Sequence, residues 1–258
     1  MQPVLFEIKD NIGYITLNRP DKLNSFNREM ALLMQSKLDE CASVKDVRCV
    51  YITGAGKGFS AGQDLAELTS DNPPSMTQIL SEHYNPIIDR IRKIPKPVVA
   101  VVNGVAAGAG ANIALCCDIV IATQSASFIQ AFSKIGLIPD SGGTYFLPRL
   151  IGWQKASAIA MLGDKIGADE AERLGMIYKV FRDEEFIEKA TKLAIQLAQM
   201  PTKGLALTKH ALNYSMTNNY EQQLNLEDKF QQEAALSYDY REGVEAFLQK
   251  RAPVFKGE

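Results

Sequence analysis

The chain has 258 residues, 46% of them hydrophobic, enough for a large buried core. Lys and Arg number 28 against 30 Asp and Glu, a formal charge of −2, and with no basic run interleaved with aromatics, nucleic acid is excluded as an expected partner. The N-terminal MQPVLFEIKD carries no basic segment followed by an apolar one, and Cys41, Cys49, Cys116 and Cys117 lack C-x-x-C spacing, so reduced core thiols and a cytoplasmic location are expected.

Along the chain, VLFEIKDNIGYITLNRP alternates apolar and polar residues on either side of Asp10-Asn11, which predicts a hairpin ending at Pro20. SFNREMALLMQSKLDECAS then places Met30, Leu33, Met34 and Leu38 at helical spacing, with Asn24 or Ser25 available as the N-cap. VRCVYITG reads as a strand that runs into a glycine loop. Residues 71–76, DNPPSM, read as a surface connection, and His83 falls in a predicted helix beyond it.

The segment PVVAVVNGVAAGAGANIALCCDIVIA (97–122) is long and apolar but is broken by Asn103, Asn112, Asp118 and several glycines. It predicts a strand, a glycine loop, a buried helix and a further strand rather than a membrane span. After about residue 154 only MIYKVF (176–181) keeps a strand pattern, and helical periodicity runs to about residue 250. Alternating strands and helices predict an α/β core of mainly parallel strands with functional groups at the strand ends. A helical C-terminal region (201–258) would follow a core of residues 1–200.

Two readings compete at Gly58-Phe59-Ser60-Ala61-Gly62, which satisfies the G-x-S-x-G pattern of serine hydrolases. A nucleophile elbow needs its serine directly between strand and helix, with a histidine base. Here Gly54 to Gly58 separate the strand VYIT from Phe59-Ser60, and only His83 and His210 are present. The other reading gives Gly62 and Gly108 the work. Each lies in a loop after a strand and just before a helix, where unpaired N–H groups collect and favour negative charge. Two such loops could aim their amides at one oxygen, or the glycines could simply let helix pack on strand.

The motifs NRPDKLNSF, ITGAGKGFSAGQDL, KPVVAVVNGVAAGAGANIALCCDIVIAT and FSKIGLIPDSGGTYFLPRLIG, in this order and spacing, resemble those of the enoyl-CoA hydratase/isomerase, or crotonase, family from about residue 4 to the end. The resemblance implies a crotonase-like spiral of repeated β-β-α units, with the C-terminal helices used for assembly into a homotrimer or a dimer of trimers. It also implies that the N–H groups of Gln63 and Ala109 hold the thioester oxygen of an acyl-CoA, with Gly62 and Gly108 shaping their loops. Coenzyme A, entering as part of the substrate with no separate cofactor, would lie near Lys22, Leu23 and the loop Ala61, Asp64, Leu65. Phe247 and Lys250 match positions that reach CoA bound to a neighbouring subunit.

Family hydratases carry two water-activating glutamates, and Asn112 and Phe132 stand at those positions here. By the resemblance, the remaining acid is Asp140 in GLIPDSGG, where family isomerases place a carboxylate, although Pro139-Asp140-Ser141-Gly142 is also an ordinary turn composition. The resemblance therefore implies acyl-CoA isomerisation, and NGVAAGAGA, FSKIGLIPD and DYREGVEAFLQKR are most similar to isomerases that convert a ring-epoxidised phenylacetyl-CoA to its oxepin form. A general enoyl-CoA isomerase, a hydratase and a non-catalytic acyl-CoA-binding scaffold remain alternatives. Phe128, Phe132 and Tyr145 are candidate walls for a ring or, equally, core packing. No His/Cys/Asp cluster has metal-ligand spacing, so no metal is expected.

Overall fold

Ten strands form two sheets in the computed structural model, which describes residues 2–69 and 71–258. The larger sheet contains β1 (Val4–Lys9), β2 (Ile12–Leu17), β3 (Cys49–Gly54), β5 (Val98–Val102), β7 (Ile119–Thr123) and β10 (Lys179–Phe181), in that spatial order. The smaller holds β4 (Gly58–Ser60), β6 (Val105–Ala107), β8 (Ser127–Ile129) and β9 (Lys165–Gly167). β1 and β2 form the expected antiparallel hairpin, and Asp10 and Asn11 take φ of 51° and 60° at its turn. From β2 to β10 every pairing in the larger sheet is parallel.

Each long strand β3, β5 and β7 is followed within three residues by a short strand, β4, β6 or β8, in the second sheet, and then by helix. This β-β-α unit, repeated three times, is the spiral that the motifs imply. The short strands are three residues each, below the length at which a period-two pattern can be read. β9 likewise falls in a stretch read as helical.

The helix Arg28–Ser43 starts two or three residues later than its sequence suggested. Its N-cap is Asn27, whose side chain accepts from Met30 N. Asn24 serves the neighbouring loop instead. At φ 55° it folds back, and its amide donates to Ala55 O and Gly58 O at 2.9 and 2.8 Å. Met30, Met34 and Leu38 bury their faces with Phe26, Phe59, Ile87 and Val98 in the main core. Removing a ring such as Phe59 from it would cost about 3–5 kcal/mol. All four cysteines are buried, free thiols.

At the C-terminus, helices span Thr202–Ser215, Tyr220–Ala235 and Tyr238–Gln249. The first is bound into the core: Lys209 Nζ lies 2.8 Å from the Asp118 carboxylate and donates to Ile91 O at 2.6 Å. Burial lowers the Lys209 pKa and Asp118 opposes that shift, so removing either partner would strand a buried charge. The other two helices present Tyr220, Leu236, Phe247 and Leu248, each at least three-quarters exposed. Among the described residues no helix is long and apolar enough to cross a membrane.

Candidate active site

The smaller sheet explains why three distant segments meet. β4, β6 and β8 run parallel, with Ser60 beside Ala106 and Ala107 beside Ile129. Their chains therefore leave the sheet at the same end, and Gly62-Gln63, Gly108-Ala109 and Gln130 to Phe132 lie side by side. Gly62 has φ 86°, and a Cβ there would stand 2.8 Å from Ala107 O and 3.3 Å from Ala109 N. Gly108, at φ 52° and ψ −129°, turns the chain into the helix Ala109–Leu115. Both positions need glycine, the first for contact and conformation together, the second for conformation.

Phe26 N donates to Gly62 O and Asp64 N donates to Phe26 O, which fixes the Gln63 peptide between them. The N–H groups of Gln63 and of Ala109, the first residue of its helix, donate to no other described residue. Two unpaired amides on touching backbones, one at a helix start, suit an oxygen that gains negative charge.

Ser60 is fully buried, and its hydroxyl donates to Asn24 O at 2.9 Å and accepts from Gly62 N at 3.2 Å. No hydrogen bond joins it to His83 or His210 among the described residues. The hydrolase reading of this motif is thereby replaced: the serine braces the loop that carries Gln63.

Asp140 sits in the turn before the helix Gly143–Ile151. Its Oδ1 accepts from Ser141 Oγ at 2.8 Å. Burial pushes its pKa above the ordinary carboxylate range, opposed by the Ser141 bond. Burial raises the pKa of the Tyr84 hydroxyl, and the charges of Asp140, Glu67 and Asp64 act in the same direction. Tyr84 OH donates to Gln63 Oε1 at 2.8 Å, and Gln63 Nε2 donates to Glu67 Oε2 at 2.7 Å. Sequence reading missed Tyr84 and Glu67. Tyr84 ends a wide helical turn, Ile79–Tyr84, within the segment expected to be plain helix, and such turns recur at functional sites.

Other expected residues fall differently. Phe132 is buried at this corner, its ring 3.8 Å from where a Cβ on Gly108 would stand. For Phe128 the packing alternative fits: it is 2% exposed within the main cluster. Tyr145 stacks under Arg149 at 3.8 Å and lines a separate groove with Asn85 and Asp89. The apolar space lies elsewhere. A cavity of about 510 Å³ opens beside the Asp140 turn, lined by Leu137, Pro139, Thr144, Leu147, Trp153 and Met161.

Asn112, at one of the two hydratase glutamate positions, turns its amide inward. It is 1% exposed and bonded to Asp140 O and Gln130. Asp64 is tied to Arg19 at 2.7 Å and caps the helix Leu65–Leu68 through Ala66 N. Burial acts to raise its pKa, but the bonds to Arg19 and Ala66 and the Arg19 charge outweigh it, leaving it below the usual range. Lys22, Leu23 and Leu65 are exposed beside this loop, where Leu23 O accepts from Ala61 N at 2.9 Å. Phe247 and Lys250 lie exposed at the end of the last helix, Lys250 with φ 54°. Among the described residues no three His, Cys, Asp or Glu side chains are grouped to hold a metal.

Residues 7–258 match the model of a family described as enoyl-CoA hydratase/isomerase. The chain is 47% identical over the full length of both chains to 1,2-epoxyphenylacetyl-CoA isomerase of Escherichia coli strain K12. It is 33% identical to trans-2-decenoyl-[acyl-carrier-protein] isomerase of Streptococcus mutans, covering 99% of this chain and 98% of that one. The crystal structure of enoyl-CoA hydratase from Bacillus anthracis superposes with a TM-score of 0.93 over the whole of both chains at 31% identity.

Proposed function

The chain belongs to the enoyl-CoA hydratase/isomerase family, and from that membership we propose that it isomerises an acyl-CoA, with a ring-epoxidised phenylacetyl-CoA as the substrate and its oxepin form as the product. The observation that carries this reading is the half-buried carboxylate of Asp140, whose backbone carbonyl is bonded to Asn112 on the helix that Ala109 begins, beside two unpaired amides, Gln63 and Ala109, on touching loops. In this reading the amides hold the thioester oxygen. Negative charge forming there acidifies the adjacent carbon, and each donor is worth about 3 kcal/mol of the barrier.

Asp140 takes the proton from that carbon, the strained epoxide ring opens and expands, and the proton returns to a ring carbon, so substrate and product have the same atoms. One residue serves as base and then acid. A desolvated carboxyl with a raised pKa suits both roles near neutral pH better than an exposed one. Phe132 stands where the resemblance puts a water-activating glutamate, so a second carboxylate to activate water is missing from that wall.

The apolar cavity beside Asp140 is the space we assign to the acyl group, and CoA enters as part of the substrate, without a metal or separate cofactor. Lys22, Leu23, Ala61 and Leu65 would border the CoA. The exposed apolar side chains of the last two helices support a homotrimer or dimer of trimers, with Phe247 and Lys250 reaching CoA on a neighbour. Buried free thiols fit a cytoplasmic setting.

The test is spectroscopic turnover of ring-epoxidised phenylacetyl-CoA beside a 3-enoyl-CoA and crotonyl-CoA. Preference for the first supports the reading, and preference for the second makes the chain a double-bond isomerase using the same groups. Efficient hydration of crotonyl-CoA, or binding without turnover of any of them, overturns it.

A further inference from the structure

Asn112 and Gln130 are 1% and 2% exposed, and the chemistry proposed above uses neither. Gln130 Nε2 donates to Asn112 Oδ1 at 2.7 Å, and Asn112 Nδ2 donates to Asp140 O at 2.8 Å. The same carbonyl accepts Gly143 N at 2.8 Å. Between those anchors Ser141 has φ 50° and Gly142 φ 76°. A serine holds that conformation only where its surroundings enforce it.

We infer that Asn112, oriented by Gln130, is a positioning residue whose amide holds the Asp140 turn in place, and that a carboxylate cannot replace it. The inference rests on the proposed role of Asp140. Position 112 must offer an acceptor toward Gln130 and a donor toward Asp140 O, and a carboxamide supplies both. The Asp140 carbonyl fixes which way the amide points, because the reverse orientation would set two oxygens together. Gln130 Oε1 has no partner among the described residues, so the Gln130 amide is held here through the bond it makes to Asn112.

An aspartate at 112 would face the Asp140 carbonyl with an ionised oxygen. A glutamate, the residue that the hydratase pattern places here, is also too long. A Cβ on Gly143 would already stand 2.4 Å from Asn112 Nδ2, so the Gly143 backbone closes the space beyond the amide. Position 112 is thus closed to a carboxylate by packing as well as by hydrogen bonding.

The experiment uses the full chain with Asn112→Asp, Asn112→Ala and Gln130→Met. It measures kcat and KM on ring-epoxidised phenylacetyl-CoA, the pH dependence of kcat, and the titration of the Asp140 carboxyl by carbon-13 NMR without substrate. The titratable groups around this corner are Tyr84, Glu67 and Asp64, and all three are unchanged in the variants. Asn112→Asp should lower kcat tenfold or more at neutral pH with KM within about threefold. Asn112→Ala should admit water and move the Asp140 titration, and with it the acid limb of kcat, toward ordinary carboxylate values. Gln130→Met should give a smaller shift in the same direction.

Wild-type kcat within twofold in Asn112→Asp, together with an unmoved Asp140 titration in Asn112→Ala, would overturn the inference. If position 112 tolerates no change in folding, an unmoved titration in Gln130→Met does so instead. Failure of the wild type to turn over the substrate would count against the proposed function, whereas the titration reports on the brace alone.

Discussion

The two halves of the site are built from different material. The donor half, Gln63 and Ala109, is main chain, set by the parallel register of β4 and β6 and by Gly62 and Gly108. The acid half, Asp140, is one side chain on a turn, held by Ser141, Asn112 and Gly143. Main-chain donors survive almost any change of their own side chains and are reached only through the glycines beside them. The acid is lost by a single substitution.

The largest effect should come from the acid half. Asp140→Asn keeps the size of the side chain but not its basicity, so kcat should fall by about 10²–10⁴-fold with KM little changed, read by steady-state turnover. Stability should move the other way. Because burial raises the Asp140 pKa in the fold, the native state favours the neutral form. That contribution is full below the unfolded value of about 4 and is lost as pH rises through the folded pKa. Asp140→Asn, always neutral, should therefore melt at or above the wild-type temperature at pH 7, with the gap closing in acid. A lower melting temperature at pH 7 would argue for a structural ion instead.

On the donor side, Gly62→Ala should cost about 10²–10³-fold in kcat, the loss seen when an oxyanion donor is removed. Its Cβ meets Ala107 O at 2.8 Å and its φ is 86°, so the Gln63 peptide must shift. Gln63→Ala keeps the N–H and should lose far less, about tenfold or below, since only its side-chain anchors to Tyr84 and Glu67 go. Comparable losses in the two variants, measured as kcat/KM, would place the work in the side chain and erase the contrast.

Ser60→Ala should be the mildest for chemistry, with kcat within about threefold. It removes two buried hydrogen bonds and should cost about 1–3 kcal/mol of stability in denaturant unfolding. Abolished turnover in a folded variant would return the serine to the reaction.

Much of this was legible in the chain. The hairpin showed in the alternation on either side of Asp10-Asn11, and both donor loops showed as glycines placed between strand and helix. What stayed hidden was short or distant. Three-residue strands carry no period, yet β4, β6 and β8 align the loops. Asn24 looked like a helix cap because its amide suits that role, but the same amide closes the Ala55 to Gly58 loop. Tyr84 lies 21 residues from Gln63, and Asn112 lies 28 from Asp140. No local pattern announces such pairs. Phe128 and Tyr145 stayed open in the sequence because an aromatic reads alike in a core and in a pocket wall.

The most direct measurement is a crystal structure of Asp140→Asn with phenylacetyl-CoA, which lacks the epoxide and cannot ring-expand. The thioester oxygen should lie about 2.7–3.1 Å from both Gln63 N and Ala109 N, with the residue 140 side chain against the adjacent carbon. A thioester bound away from either amide, or with residue 140 turned from it, would contradict the account.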